Sequence, residues 1–209
     1  MTTLPISLPD LSFEDAARRT GAQVVVGLDE VGRGPWAGPV VACAARLIGP
    51  TPLGLTDSKK LTAAKRETMA DALMACCEIG FGEASVEEID RLNIRQATHL
   101  AMRRAVAALP TAPDHLLIDG NDTPGWVTCA SQTIVKGDSR SLSIAAASVL
   151  AKIRRDRGML ALAQQHPGYG WDSNVGYGTK SHQNGLEKLG VTQHHRRSFA
   201  PIRKMLRQT

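Results

Sequence analysis

AQVVVGLDEVGRGPWAGPVVACAARLI, residues 22–48, decides how the rest of the chain is read. Ala22 to Asp29 is a β-branched apolar run that closes on an acid, the composition of a buried strand. Gly32, Gly34, Pro35, Gly38 and Pro39 then punctuate a turn-rich loop. Val40 to Ile48 resumes as a second strand, so close behind the first that the two read as a hairpin. Asp29 and Glu30 stand at the end of the first strand. A carboxylate among buried apolar neighbours is costly there unless something compensates it.

Upstream of this hairpin, residues 1–21 read as a lead-in containing a short helix. Downstream, Thr62 to Cys77 reads as a helix and Phe81 to Ser85 as a third short strand. Ser85 with Glu88, and Asn93 with Gln96, have the spacing of capping boxes, the second opening a helix to about Leu109. His115–Asp119 (HLLID) and Thr133–Lys136 (TIVK) are short apolar runs suited to central strands. Ser143 to Gln165 reads as a long helix, alanine-rich at first and basic in its middle. Gly168 to Gly178 reads as an aromatic, glycine-rich loop, with short helices near Gly185 and Ile202. Strands first, then helices alternating with strands, argue a mixed α/β sheet with helices packed on it. No break in composition divides the 209 residues, so the chain reads as one domain, residues 1–209.

Composition narrows the function. The four cysteines, Cys43, Cys76, Cys77 and Cys129, form no C-x-x-C pair, which argues against a zinc site or a disulfide framework and for thiols in a reducing cytosol. No signal peptide is evident, and no apolar run approaches the ~20 residues that span a bilayer. A cytoplasmic protein with no membrane contact is expected. The net charge of +5 suits a polyanionic partner. Lys188, Arg196, Arg197, Arg203, Lys204 and Arg207 crowd the C-terminal stretch, as phosphate contacts or as a solvated tail.

The acids carry the chemistry. Asp119 ends His115-Leu-Leu-Ile, and Asp138 follows Thr133-Ile-Val-Lys-Gly. Three strand ends of one sheet can converge, and four converging carboxylates repel one another until a divalent cation relieves them. Oxygen ligands without paired Cys or His favour Mg²⁺ or Mn²⁺, and such a cluster fits two-metal phosphodiester cleavage. Neighbours on a regular strand point to opposite faces, so Glu30 is expected where strand gives way to loop. GLDEVGRG, residues 27–34, fits neither the dinucleotide nor the nucleoside-triphosphate glycine loop. Gly32-Arg33-Gly34 instead offers exposed N–H groups and one guanidinium for close approach to a sugar–phosphate backbone.

These blocks together resemble the ribonuclease HII family. DEVGRGPWAGPVV (29–41) looks like its opening motif and DSKKL (57–61) its next block. LIDG (117–120), KGD (136–138) and SIAAASVLAK (143–152) follow, and HPGYGW (166–171), GYGT (176–179) and HRRSFAP (195–201) complete the series between residues 24 and 202. The resemblance implies a ribonuclease H-like fold: a five-stranded mixed sheet flanked by helices, with a helical C-terminal extension over about residues 166–209. It implies hydrolysis of the RNA strand of RNA–DNA hybrids, leaving 5′-phosphate and 3′-hydroxyl ends, and incision 5′ of single ribonucleotides in duplex DNA. The family's metal-binding catalytic acids fall on Asp29, Glu30, Asp119 and Asp138. Its 2′-hydroxyl-recognising loop falls on Gly32, Arg33 and Gly34, and its junction-sensing tyrosine on Tyr177. Trp36 replaces a more usual aliphatic residue. The tail after residue 202 lacks the motif that some relatives carry, which puts sliding-clamp binding in doubt. A monomer acting on hybrids and on ribonucleotide-containing DNA is expected.

Other residues divide between roles. Lys59 is a candidate phosphate contact, as is Lys60, or both stand in a solvated loop. Asp156 is either a fifth acid or a helix-surface ion-pair partner, the second being favoured. His194 and His195 read as structural or surface groups rather than ligands. Trp126 and Trp171 are too isolated for a stacking platform. Two other classes stay open: an acid-cluster nuclease of the same fold acting on DNA, and a non-catalytic nucleic-acid-binding module. Cleavage of all-DNA substrates would mark the first, and indifference to loss of the acids the second.

Overall fold

The computed structural model describes residues 8–207. Five strands make one mixed sheet: β1 (Val25–Val31), β2 (Val40–Leu47), β3 (Cys77–Ala84), β4 (His115–Asp119) and β5 (Ala130–Ile134), in the order β3-β2-β1-β4-β5. The β1–β2 and β2–β3 pairs are antiparallel, and β1–β4 and β4–β5 are parallel. The helices are α1 (Ser12–Arg19), α2 (Ala63–Cys76), α3 (Val86–Leu92), α4 (Ile94–Ala107) and α5 (Leu142–Gln165), followed by α6 (Trp171–Asn174), α7 (Lys180–Leu189) and α8 (Ala200–Leu206). This is the expected five-stranded sheet with flanking helices and a helical C-terminal stretch.

Alternation along the strands sorts the core into two layers. Val26 and Leu28 of β1, with Ala42 and Ala44 of β2, pack against Ala97, Ala101 and Ala105 of α4. Cys43 and Ala45 turn the other way, toward Leu73 of α2 and the alanines of α5. Small residues let α5 come close: a Cβ placed on Gly27 would lie 2.2 Å from the carbonyl carbon of Ser143. That proximity brings the first turns of α5 beneath the acidic end of β1. Fully buried Leu28, Leu116, Ile118 and Ile89 each contribute about 1.5–3 kcal/mol. The apolar layers, not the acids, hold the sheet together.

The strands differ in detail from their apolar runs. The first begins at Val25 rather than Ala22 and continues past Asp29 to Val31, because the antiparallel ladder to β2 pairs Glu30 with Ala42 and Val31 with Val41. Glu30 therefore lies within the strand, not at its end. The third strand is the whole of Cys77–Ala84, and it pairs along all of β2. The fifth is Ala130–Ile134, an edge strand rather than a central one, and it stops before Val135 and Lys136. The Ser85–Glu88 capping box forms in full, and the Asn93 side chain accepts from the N–H groups of Arg95 and Gln96. A short helix, α6, interrupts the expected loop of residues 168–178. All four cysteines are free thiols, and no helix among the described residues is long and apolar enough to cross a membrane.

Candidate active site

Asp29 lies on the α5 side of β1, only 5% exposed, and accepts the N–H of Glu30 at 2.7 Å. Burial pushes its carboxyl well above the usual range, Glu30 and Asp119 push it further, and a hydrogen bond from Ser148 of α5 opposes them. Glu30 lines a small cleft of about 110 Å³ with Arg33, His99, Asp119 and Asp122. Burial raises its pKa too, against the pull of Arg33, whose guanidinium is 3.2 Å from it. The two acids do face opposite sides of the strand. Asp119, at the end of β4, reaches the fields of both.

Asp138 arrives by a different route. β5 ends at Ile134, Lys136 takes a left-handed conformation (φ 55°), and a single 3₁₀ turn, Gly137–Ser139, carries Asp138 back beside β4. The Gly137 N–H donates to Asp119 Oδ1 at 2.7 Å, which ties this turn to the strand end. Asp138 is held up by burial and then by Asp57 and Asp119, while Lys59 opposes from 3.7 Å. Partial burial works against the Lys59 ammonium, but Asp57, Asp138, Asp29 and Asp119 together raise its pKa.

All four predicted acids thus share one electrostatic neighbourhood. Two further residues join them that sequence reasoning did not single out. Asp57 precedes Lys59 and reaches Asp138, and Ser148 sits on the buried face of α5. The quoted DSKKL block held the signal for the first; only the face of α5 exposes the second. Among the described residues no three His, Cys, Asp or Glu side chains already stand in ion-holding geometry. Arg33, Lys59 and backbone N–H groups occupy the carboxylates instead, a donor set of hard oxygens whose mutual repulsion a divalent cation would relieve.

The glycine loop is held from below by two buried arginines. Gly32 has φ +92°, and a Cβ there would lie 2.2 Å from Arg155 Nε. Arg155 donates to the carbonyls of Ala37, Pro39 and Val175. Arg196 donates to those of Gly32 (2.6 Å), Arg33 (3.0 Å), Gly38 (2.9 Å) and Pro39 (3.1 Å). Arg196 is therefore internal, and its expected place as a phosphate contact or in a solvated tail is corrected. Burial lowers its pKa to about 9, with Arg155 adding to the effect. Arg197, next in sequence, is exposed. Tyr177 is 47% exposed, and a Cβ on Gly34 would meet its Cε1 at 3.3 Å, so loop and tyrosine adjoin. Asp156 pairs with Lys152 at 2.8 Å on the helix surface, as favoured. His195 is buried against the rings of Tyr169 and Trp171, an internal group rather than a surface one. Trp171 is itself core.

Comparison with known proteins bears on the family and the fold. The sequence model of the family described as Ribonuclease HII matches residues 26–202. A ribonuclease HII of Ruegeria pomeroyi is 59% identical over 201 residues, covering 96% of this chain and 86% of its own. Among solved structures, the ribonuclease H2 of Pyrococcus horikoshii superposes with a TM-score of 0.75 at 24% identity, covering 89% of this chain and 98% of its own. Bst-RNase HIII in complex with Mn²⁺ superposes with a TM-score of 0.66 at 22% identity, covering 92% and 72%. The two structures share the ribonuclease H-like fold, and the near-full-length match in sequence goes further: the chain belongs to the ribonuclease HII family.

Proposed function

We propose that this member of a divalent-metal-dependent family of RNA–DNA hybrid endonucleases cuts at one site, built from Asp29, Glu30, Asp119 and Asp138, and selects its substrate through Gly32–Gly34 and Tyr177. The observation that carries the reading is the convergence of the four carboxylates, from β1, β4 and the turn after β5, beside a loop that touches Tyr177. Mg²⁺ or Mn²⁺ held by these acids would supply positive charge and Lewis acidity at the scissile phosphate. The protein's own groups do the rest. Arg196 draws the carbonyls of Gly32 and Arg33 inward, which leaves the loop's N–H groups for a ribose and its phosphate, with the Arg33 guanidinium alongside on Glu30. The 2′-hydroxyl is the group that tells RNA from DNA at one nucleotide. The exposed Tyr177 ring stands where it can lie against the next sugar, and a deoxyribose there fits it best. Lys59 meets a phosphate in this reading, which its exposed side chain beside Asp138 supports.

Single ribonucleotides in duplex DNA are thus the finer substrate, cut on their 5′ side to leave 3′-hydroxyl and 5′-phosphate ends. The test is cleavage of a DNA duplex carrying one ribonucleotide, with Mg²⁺, with Mn²⁺ and with EDTA. Incision at the ribonucleotide with either metal and none in EDTA is expected. Undiminished cutting in EDTA, or equal cutting of an all-DNA duplex, would overturn the reading.

A further inference from the structure

Beneath Tyr177 lies a pair of imidazoles whose protons are fixed by their neighbours. The indole N–H of Trp171 donates to His182 Nε2 at 3.1 Å, and an indole nitrogen only donates, so His182 Nε2 carries no hydrogen. The backbone N–H of Thr192 donates to His195 Nδ1 at 2.9 Å, so that nitrogen is bare as well. Neutral His195 must then hold its hydrogen on Nε2, which lies 3.1 Å from His182 Nε2. Neutral His182 must hold its hydrogen on Nδ1, which lies 3.0 Å from the carbonyl oxygen of Tyr177. The result is a directed relay from Thr192 through His195 and His182 to the tyrosine's backbone. Burial first, and then the neighbouring His182, hold His195 down to about 3, so it stays neutral. The next residue along, Arg196, donates its N–H to the Trp36 carbonyl at 2.8 Å and its guanidinium to the loop. One short segment therefore braces both Tyr177 and the glycines it adjoins.

We infer that His182 and His195 are positioning residues for Tyr177, holding its backbone so that the ring stands at the separation from Gly34 that a ribose followed by a deoxyribose requires. The inference rests on the reading of Tyr177 as the junction sensor. A purely structural pair would weaken cleavage of every substrate alike, whereas a positioning pair governs the choice among them.

The experiment compares wild type, Tyr177→Ala, His182→Phe, His182→Asn and the Tyr177→Ala/His182→Phe double variant, each with Mn²⁺, on one embedded ribonucleotide and on a long hybrid. His182→Phe should lower kcat on the embedded ribonucleotide by about tenfold to a hundredfold, the scale of a small misplacement, with KM little changed and the long hybrid affected less. His182→Asn, whose amide N–H stands where Nδ1–H does, should recover most of the loss. The double variant should be no worse than Tyr177→Ala alone, since both act through one ring. Equal loss on both substrates, or a full additional loss in the double variant, overturns the inference while leaving Tyr177 as the sensor. If Tyr177→Ala itself spares the embedded ribonucleotide, the sensor reading falls and this inference with it. Imidazole ¹⁵N spectra of the wild type test the relay without any variant: His182 should be the Nδ1–H tautomer and His195 the Nε2–H tautomer, and the reverse assignment overturns it.

Discussion

Asp29 is a carboxylate that the fold outweighs rather than favours. It is buried and repelled by Glu30 and Asp119, against hydrogen bonds from Ser148 and a backbone N–H and the field of Lys59. Asp29→Asn removes the charge and keeps the shape, so hydrolysis should be abolished while the metal-free protein melts higher. Each kcal/mol of repulsion relieved is worth about 2–4 °C in a domain of this size. Melting in EDTA checks this, and an unchanged or lower midpoint would mean the carboxylate is better compensated than its surroundings indicate. Arg196 is the converse case. Arg196→Ala would strip donors from two buried and two partly buried carbonyls and should cost about 3 kcal/mol or more, whereas Arg197→Ala should stay within about 0.5 kcal/mol; urea denaturation of both variants decides it. The acids were legible in the sequence because each follows a strand-like apolar run. Arg196 was not, since a guanidinium held by backbone carbonyls leaves no patterned partner to read.

At the scale of elements, the junction of α3 and α4 offers a pH test. Glu88 closes the capping box by accepting the Ser85 N–H, and Arg104 of α4 donates to both its oxygens at 2.7 Å. The Arg104 hydrogen bonds, with help from Ser85, bring the Glu88 carboxyl down to about 2. A depressed pKa means that the folded state binds fewer protons than the unfolded one. The pair's contribution is therefore fully present above the ordinary glutamate value and is lost as pH falls toward 2. With nearly half of the Arg104 side chain in solvent, Glu88→Gln should cost about 1 kcal/mol at pH 7. The gap to wild type should narrow between pH 5 and pH 3 in urea titrations, and a constant gap would assign the loss to the cap alone. Elements were legible where good helix formers run on, as in the alanine-rich α2 and α5. β3 was shortened because Gly80 and Gly82 interrupt its pattern, although α4 packs on it through those two positions. β5 was displaced because the first three of its paired residues, Ala130 to Gln132, are polar or small, while Val135, the apolar residue that suggested a strand, is exposed beyond the ladder.

For the whole molecule, charge and connectivity set the behaviour. With a net charge of +5, affinity for hybrids should fall linearly in log–log plots against salt. Lys59→Ala should reduce that slope by about one if the side chain meets a phosphate, and an unchanged slope in fluorescence titrations would leave it in solvent. The overall sheet and its acids were foreseeable because both are written locally, in runs of a few residues. The brace beneath the loop joins residues 32–39 to residues 192–196, and no local pattern announces a contact across that distance. Synthesis makes the same separation a matter of time. A chain grows at about 5–20 residues per second, so Gly32 is in place on the order of ten seconds before Arg196 exists to hold its carbonyl. During that interval the strands and acids can assemble, while the loop beside them has at most the Arg155 half of its brace. A nascent chain therefore completes this loop only after the strands on either side of it have been made.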